Sequence, residues 1–323
     1  MSNLSSASFT EPGIARLSQF SLISASGADA VSFLHSQLTN DIKTLAENHA
    51  CLAGFCTPKG RLLATMLVWK IKDVITMEVP LELQENLQKR LQMYVMRSKV
   101  SLQHVSDGQT VFGLFGESAL SVLAEWFPDA PSTPYQLVSN DNGTLLRLTD
   151  VEGMARYQCV VTKDGQIEQA INRWPHTVPE SEWQRSEIHA GIPQVGAATQ
   201  EKFVPQMINY ELIGGVSFKK GCYPGQEIVA RTHYLGKQKR RTVLARIPSA
   251  DVNSGAEVFA STDLEQPCGM VVNAVLNNNG GSDCLIEIKT NFLTEATIQL
   301  RSGEICEWLP MPYPLPDDAT QTT

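Results

Sequence analysis

The sequence predicts an α+β fold that ends in a small all-β region. Three observations carry this expectation. Helical and strand patterns come in clusters, without the regular βαβ alternation of a parallel sheet. From Lys239 onward the pattern changes to short apolar stretches separated by polar turns. The length, 323 residues, exceeds one typical core and points to two or three domains.

A helix is expected over 27–38, where Gly27 opens it and Val31, Leu34, His35 and Leu38 recur at helical spacing. Strands follow at 51–57 and 61–71 around the turn Thr57-Pro58-Lys59-Gly60, with a third at 74–79. Pro80 suits the first turn of a helix whose apolar face is Leu83, Leu87, Leu91, Tyr94 and Val95. Next come a strand at 109–115, a helix at 117–127, strands at 135–139, 144–149 and 156–162, and a helix at 166–173. Pro175 and Pro179 bound a linker, and a short helix at 181–190 stops at Gly191. The remaining strands fall at 241–247, 256–260, 268–276, 284–289, 296–301 and 304–309, with a turn at 277–281. The expected division is therefore 1–240, two interleaved α+β domains including the segment 214–231, and 241–323, a β-barrel or sandwich.

Composition, 42% hydrophobic and 19% charged, is that of a soluble globular protein. No apolar run reaches the roughly 18 residues that span a bilayer. Residues 1–12 lack the basic start and apolar core of a secretory signal, so a cytosolic protein is expected. The seven cysteines are irregularly spaced and contain no C-x2-C, which argues against a disulfide framework. Cys51 and Cys56 fall on one strand and point to opposite faces, so no metal site is expected from them. All except Cys222 read as small buried apolar residues.

Net charge is −8, which argues against indiscriminate nucleic-acid binding. Between Lys219 and Arg246, however, stand Lys219, Lys220, Arg231, Lys237, Lys239, Arg240, Arg241 and Arg246 against the single acid Glu227. That stretch is +7 and the rest of the chain −15, a distribution suited to a specific anionic partner or to a solvated face.

Cys222 sits in this stretch. Gly221 and Gly225 flank it and Pro224 stiffens the turn, so the backbone can approach another group closely. Lys219, Lys220 and Arg231 place positive charge nearby, which favours a thiolate. Cys222 is thus a candidate nucleophile, redox centre or metal ligand, unless the segment is simply a structural turn. No His with Asn or Asp is visibly matched to it, which leaves a thiol hydrolase unsupported. His233 is a conceivable partner but reads better as a surface histidine.

Lys220-Gly221-Cys222-Tyr223-Pro224-Gly225-Gln226-Glu227, with Arg231 four residues beyond the Glu, resembles the signature K-G-C-[YF]-x-G-Q-E of the YgfZ family. The resemblance extends through Gly27-Ala28-Asp29, Gly54-Phe55-Cys56, Gly60-Arg61, Ala190-Gly191-Ile192-Pro193, Phe203-Val204-Pro205-Gln206, Asn209, Gly214-Gly215-Val216-Ser217-Phe218 and Leu309-Pro310-Met311-Pro312-Tyr313. It implies the α+β fold of the glycine cleavage T-protein, with a central folate cavity and a C-terminal β-barrel. The implied ligand is tetrahydrofolate or a derivative. The implied role is support of iron–sulfur enzymes, including those that methylthiolate tRNA, with Cys222 as the functional thiol.

Two departures bear on this. T-proteins that transfer one-carbon units carry an Asp where Ala64 and Thr65 stand here, so ordinary aminomethyl transfer is not expected. His189 stands where many relatives place a Glu before Ala-Gly-x-Pro, and a neutral imidazole offers one acceptor where a carboxylate offers several. The aromatic contacts to folate implied by the resemblance map onto Trp183 and Phe20. The leading reading is a monomeric, folate-dependent accessory protein in which Lys219, Lys220 and Arg231 hold the thiolate or a polyglutamate tail. A one-carbon transferase and a tRNA-presenting module are the alternatives. Tyr223 and Tyr234, the only aromatics interleaved with the basic stretch, give the last of these little support.

Overall fold

The computed structural model describes residues 9, 11–236 and 238–316. Three antiparallel sheets organise the chain. The first has the order Ala50–Cys56, Leu62–Ile71, Val74–Pro80, Phe20–Ser26, Ser101–His104. The second runs Gly13–Arg16, Gln109–Phe115, Met154–Thr162, Gly143–Val151, Leu137–Asn140. The third is a curled half-barrel of six strands, from Ile298–Leu300 through Glu257–Ala260, Asp263–Leu276, Ser282–Lys289 and Arg240–Ile247 to Glu307–Leu309. No described helix is long and apolar enough to cross a membrane.

Burial explains the sheet order. Leu62–Ile71 is apolar almost throughout and buried along most of its length. Its Leu63, Met66 and Val68 pack with Leu34 and Leu38, and with Leu87 and Leu91, into one cluster. Its Leu62, Leu67 and Trp69 join a central cluster that also takes Phe115 and Leu146 from the second sheet and Leu244 and Leu285 from the third. A strand covered on both faces reads as a continuous apolar run. In the helix Gln84–Val95, Leu87, Leu91 and Val95 are buried and the intervening polar residues form the outer face.

The expected helix at 27–38 is Ala30–Gln37, and that at 181–190 is Glu180–His189. The expected helix at 117–127 is only Gly116–Leu120 followed by a 3-10 turn. Three strands escaped the sequence reading: Gly13–Arg16, Phe20–Ser26 and Ser101–His104. The first and last span four residues each, too short for alternation to show. Phe20–Ser26 carries three serines among its seven residues and resembles a polar connection.

Candidate functional site

Two neighbourhoods hold most of the residues singled out from sequence. One is a cavity at the centre of the fold, lined by Phe20, Thr65, Glu78, Gln158, Trp183 and Glu187 among others. The cavity itself is small, about 50 Å³, but Glu187, Ile192 and Gln194 also line an adjoining cleft of about 460 Å³, and the cleft falls within the roughly 300–1,000 Å³ of ligand pockets. Phe20 reaches it from the start of its strand, opposite Pro80. Trp183, fully buried, comes from the helix Glu180–His189. Its ring lies on the backbone of Gly113, where a Cβ would stand 2.2 Å from the indole. Phe115 packs against the ring at 5.3 Å, and the Arg156 guanidinium lies 5.2 Å from it. The indole N–H of Trp183 has no hydrogen-bond partner among the described residues.

Glu78 and Gln158 were not apparent from sequence. Both are buried, and the Gln158 amide donates to the Glu78 carboxyl. Burial, reinforced by the charge of Glu187, pushes the Glu78 carboxyl up to about 8. Glu187 is paired with the buried Arg156 at 2.6 Å. A lone acid in an apolar strand was the available signal, but alternate positions on an antiparallel strand usually face solvent.

Glu78 makes stability depend on pH. In the unfolded chain this carboxyl ionises near 4.5, and in the folded protein near 8. The folded state keeps the proton while the unfolded state has lost it, so stability present in acid is lost as pH rises across that window. Glu78→Gln keeps an acceptor for Gln158 and removes the titration. It is expected to be more stable than the wild type by on the order of a few kcal/mol at pH 8 and above, with the gap closing near pH 4.5. Thermal melts across that range check this, and a gap independent of pH would contradict it.

His189 does not line this cavity. Its Nε2 lies 2.7 Å from Asp283 and its Nδ1 3.1 Å from Glu152. Burial favours the neutral form of Asp283, but hydrogen bonds from His189 and Asn277 and the charge of Arg246 hold its carboxyl at about 2. Ala64 is buried among the residues packed beneath the helices. The Thr65 hydroxyl accepts the Val195 N–H at 3.0 Å.

The other neighbourhood is the Cys222 loop. Cys222 is exposed, while Cys56, Cys159, Cys268, Cys284 and Cys306 are buried and Cys51 is partly so. Lys220 is buried beneath the loop, and its ammonium donates to the carbonyls of His35 and of Leu38, the latter at 2.7 Å. Those carbonyls close the C-terminal end of the helix Ala30–Gln37, where a cation is favoured. The same ammonium lies 4.7 Å from the ring centre of Tyr223. Burial brings Lys220 down to about 8, opposed by the charges of Asp41 and Cys222. Gly225 has φ +82, and a Cβ there would stand 2.4 Å from the Thr57 carbonyl and 2.6 Å from Gly60. The loop is thereby seated on the turn of the first hairpin. Gln226 and Glu227 begin the helix Gln226–Leu235, with the Glu227 carboxylate suited to its first turn.

The basic stretch is less concentrated in space than along the chain. Arg240 forms two 2.7 Å bonds to Glu287, Arg241 pairs with Glu211, and Arg246 lies 3.3 Å from Asp283. Lys219, Arg231 and Lys239 remain exposed, and Lys237 lies outside the described residues. His233 stacks on Phe218 at 3.8 Å, with Tyr234 edge-on to it at 4.8 Å. This aromatic group was only partly visible in the sequence, because Phe218 precedes the helix that carries its partners.

Residues 7–147 match the family model described as the GCVT N-terminal domain. The tRNA-modifying protein YgfZ of Yersinia pseudotuberculosis serotype IB is 29% identical over 321 residues, covering 94% of this chain and 92% of the relative. That of Hamiltonella defensa is 28% identical over 295 residues, covering 84% and 85%. The crystal structure of glycine cleavage system aminomethyltransferase T from Bartonella henselae superposes with a TM-score of 0.75 at 14% identity, covering 94% of this chain and 86% of that one. Over nearly its whole length the chain is thus similar to the YgfZ proteins, and it has the fold of aminomethyltransferase T.

Proposed function

We propose that this protein binds tetrahydrofolate or a derivative in the central cavity and supports iron–sulfur enzymes that modify tRNA, including those that methylthiolate it. Cys222 is its functional thiol. The observation that carries the folate reading is the donor set of the cavity. Phe20 and Trp183 offer aromatic surface to a pterin or aminobenzoyl ring. Glu78, Gln158 and Glu187 offer acceptors for ring N–H groups, and the indole N–H of Trp183 lacks a protein partner among the described residues. These residues fit such a ligand. When bound, the folate supplies one-carbon carriage at the N5 nitrogen of its pterin ring and the N10 amine beside it.

The tRNA role is supported by the relatives named tRNA-modifying protein. A one-carbon transferase is disfavoured because Ala64 and Thr65 put no carboxylate on the cavity wall and the Thr65 hydroxyl already accepts a backbone N–H. Direct tRNA contact is favoured by one observation, the Phe218–His233–Tyr234 group beside exposed Lys219 and Arg231. A polyglutamate tail would draw on the same exposed cations, with Arg240, Arg241 and Arg246 already paired. We read the protein as a cytosolic monomer.

The test is restoration of methylthiolated adenosine in tRNA of bacterial cells lacking their own YgfZ, alongside tetrahydrofolate binding by calorimetry. The wild-type chain is expected to restore the modification. Cys222→Ser, at matched protein level, is expected to restore less than about a tenth while binding folate unchanged. Full restoration by Cys222→Ser would remove the thiol from the proposal, and no folate binding by the wild type would remove the ligand.

A further inference from the structure

The Cys222 loop rests on a histidine that its own sequence neighbourhood does not contain. His35 sits in the last turn of the helix Ala30–Gln37 and is buried. Its Nδ1 lies 3.0 Å from the carboxylate of Asp41. Asp41 is itself fixed, because its carboxylate accepts the backbone N–H groups of Lys43 at 2.9 Å and Thr44 at 3.2 Å. Burial works against its charge, yet those bonds and His35 hold the Asp41 carboxyl below the usual range. His35 Nδ1 forms no well-aligned hydrogen bond among the described residues, so Asp41 acts on it through its charge at 3.0 Å; a carboxylate so placed favours the tautomer with the proton on Nδ1 and leaves Nε2 as the basic lone pair.

That Nε2 faces the loop. A Cβ built on Gly221 would stand 3.5 Å from it, and Gly221 is the residue directly before Cys222. Consecutive Cα atoms are about 3.8 Å apart, so Cys222 stands one residue from the point that Nε2 faces, and its exposed thiol needs a side-chain rotation or one bridging water to meet it. Glycine at 221 leaves the space between them open. Lys220 pins the backbone on the near side through the carbonyls of His35 and Leu38.

We propose that His35, oriented by Asp41, is the proton acceptor for Cys222. When Sγ attacks an electrophile, the S–H proton passes to Nε2, the new bond forms at sulfur, the electrophile's leaving group departs with its electron pair, and Nε2 later releases the proton to water. Asp41 is a positioning residue in this scheme. The inference rests on the reading of Cys222 as a functional thiol and supplies the base that the sequence did not reveal.

The charge environment suits the role. Burial, together with the charges of Lys220 and Lys43, lowers His35 below its ordinary range, opposed by Asp41. The imidazole is therefore neutral and able to accept a proton around pH 7. Lys220, which titrates near 8, is the competing base.

The experiment is the rate of alkylation of the full-length protein by iodoacetamide as a function of pH. Here the Sγ–C bond forms and iodide leaves. Cys222 is the one exposed cysteine among the described residues, so the rapid phase reports on it, and Cys222→Ser is expected to abolish that phase. An unassisted thiol reacts only through its thiolate, and its rate falls about tenfold per pH unit on acidification. With a neutral imidazole as base, the wild type is expected to hold a plateau that breaks only at the titration of His35. His35→Gln is expected to lose the plateau and react at least about tenfold more slowly near pH 6.5. Asp41→Asn, which keeps the imidazole, is expected to slow the reaction several-fold and move the break.

Circular dichroism melts identify variants that fold. If His35→Gln does not fold, the wild-type and Asp41→Asn profiles decide: a wild-type rate falling tenfold per unit from pH 8 downward overturns the proposal. A plateau that survives in folded His35→Gln also overturns it. A break near pH 8 that disappears in Lys220→Met assigns the base to Lys220 and overturns it likewise. These outcomes are separate from the tRNA assay. Dependence of methylthiolation on Cys222 with no pH plateau sinks the pair alone, and a plateau with full activity of Cys222→Ser sinks the functional reading alone.

Discussion

Trp183→Ala is expected to destabilise the protein by about 3–5 kcal/mol, the range for truncating a fully buried large aromatic side chain. The indole joins the central cluster, which draws on all three sheets. Its removal takes away the ring packed on Phe115 at 5.3 Å and the π-face beside Arg156 at 5.2 Å. The slot it vacates is walled by strand backbone at Gly113, which cannot collapse to fill it. Arg156 then sits beside a void, and one of its buried guanidinium nitrogens already lacks a partner among the described residues. Trp183→Phe keeps an aromatic surface and is expected to recover about half of the loss. Urea denaturation with the slope compared across the three proteins measures this. A loss under about 1 kcal/mol would mean that the ring is not the keystone its burial implies.

The second large effect is expected from the smallest change. Gly225→Ala adds one methyl where φ is +82 and where the new carbon would stand 2.4 Å from the Thr57 carbonyl and 2.6 Å from Gly60. The left-handed conformation alone costs a non-glycine residue roughly 1 kcal/mol. The contacts are with backbone on the hairpin turn, so no side chain can rotate away. The loop must therefore lift from the turn. A loss of about 2–4 kcal/mol is expected, with faster proteolysis near residue 225. Gly214→Ala is a useful comparison. It shares a positive φ of +81 but has nothing within 4 Å of the added carbon, so it is expected to show the conformational cost alone. Equal losses at the two glycines would show that the steric contact at 225 is relieved at no cost.

The contrast between these two sites indicates what was legible in the sequence. The spacing of Leu83, Leu87 and Leu91 revealed an amphipathic helix because its pattern repeats locally. The turn around Gly60 was equally plain. That Gly225 is glycine because Gly60 lies against it was not, since the two meet only through the tertiary fold. The same limit applies to the two candidate sites. Cys222 announced itself through its neighbours in the chain. His35 was correctly placed on an apolar helix face, but its opposition to the Cys222 loop depends on how Lys220 seats that loop on the helix end. Glu78 and Gln158 lie on different sheets, and neither has a sequence neighbour that hints at the other. Charge counting along the chain overstated the basic patch, because Glu211, Asp283 and Glu287 come back from distant segments to pair with its arginines.

The placement of the first strand has a consequence for how the chain acquires its structure. Gly13–Arg16 is an edge strand whose sheet partner is Gln109–Phe115, and the intervening chain builds the whole of another sheet. During synthesis the earliest segment therefore waits, unpaired, until its partner has emerged. Trp183 emerges later still to pack on Gly113. Pairings this distant must overcome loop-closure entropy before they are rewarded, so the second sheet is expected to close late and to set a slow overall rate. The first sheet is better placed to form early, since Ala50–Cys56, Leu62–Ile71 and Val74–Pro80 are joined by tight hairpins. The turn that later receives the Cys222 loop would then be in place well before the loop itself is made.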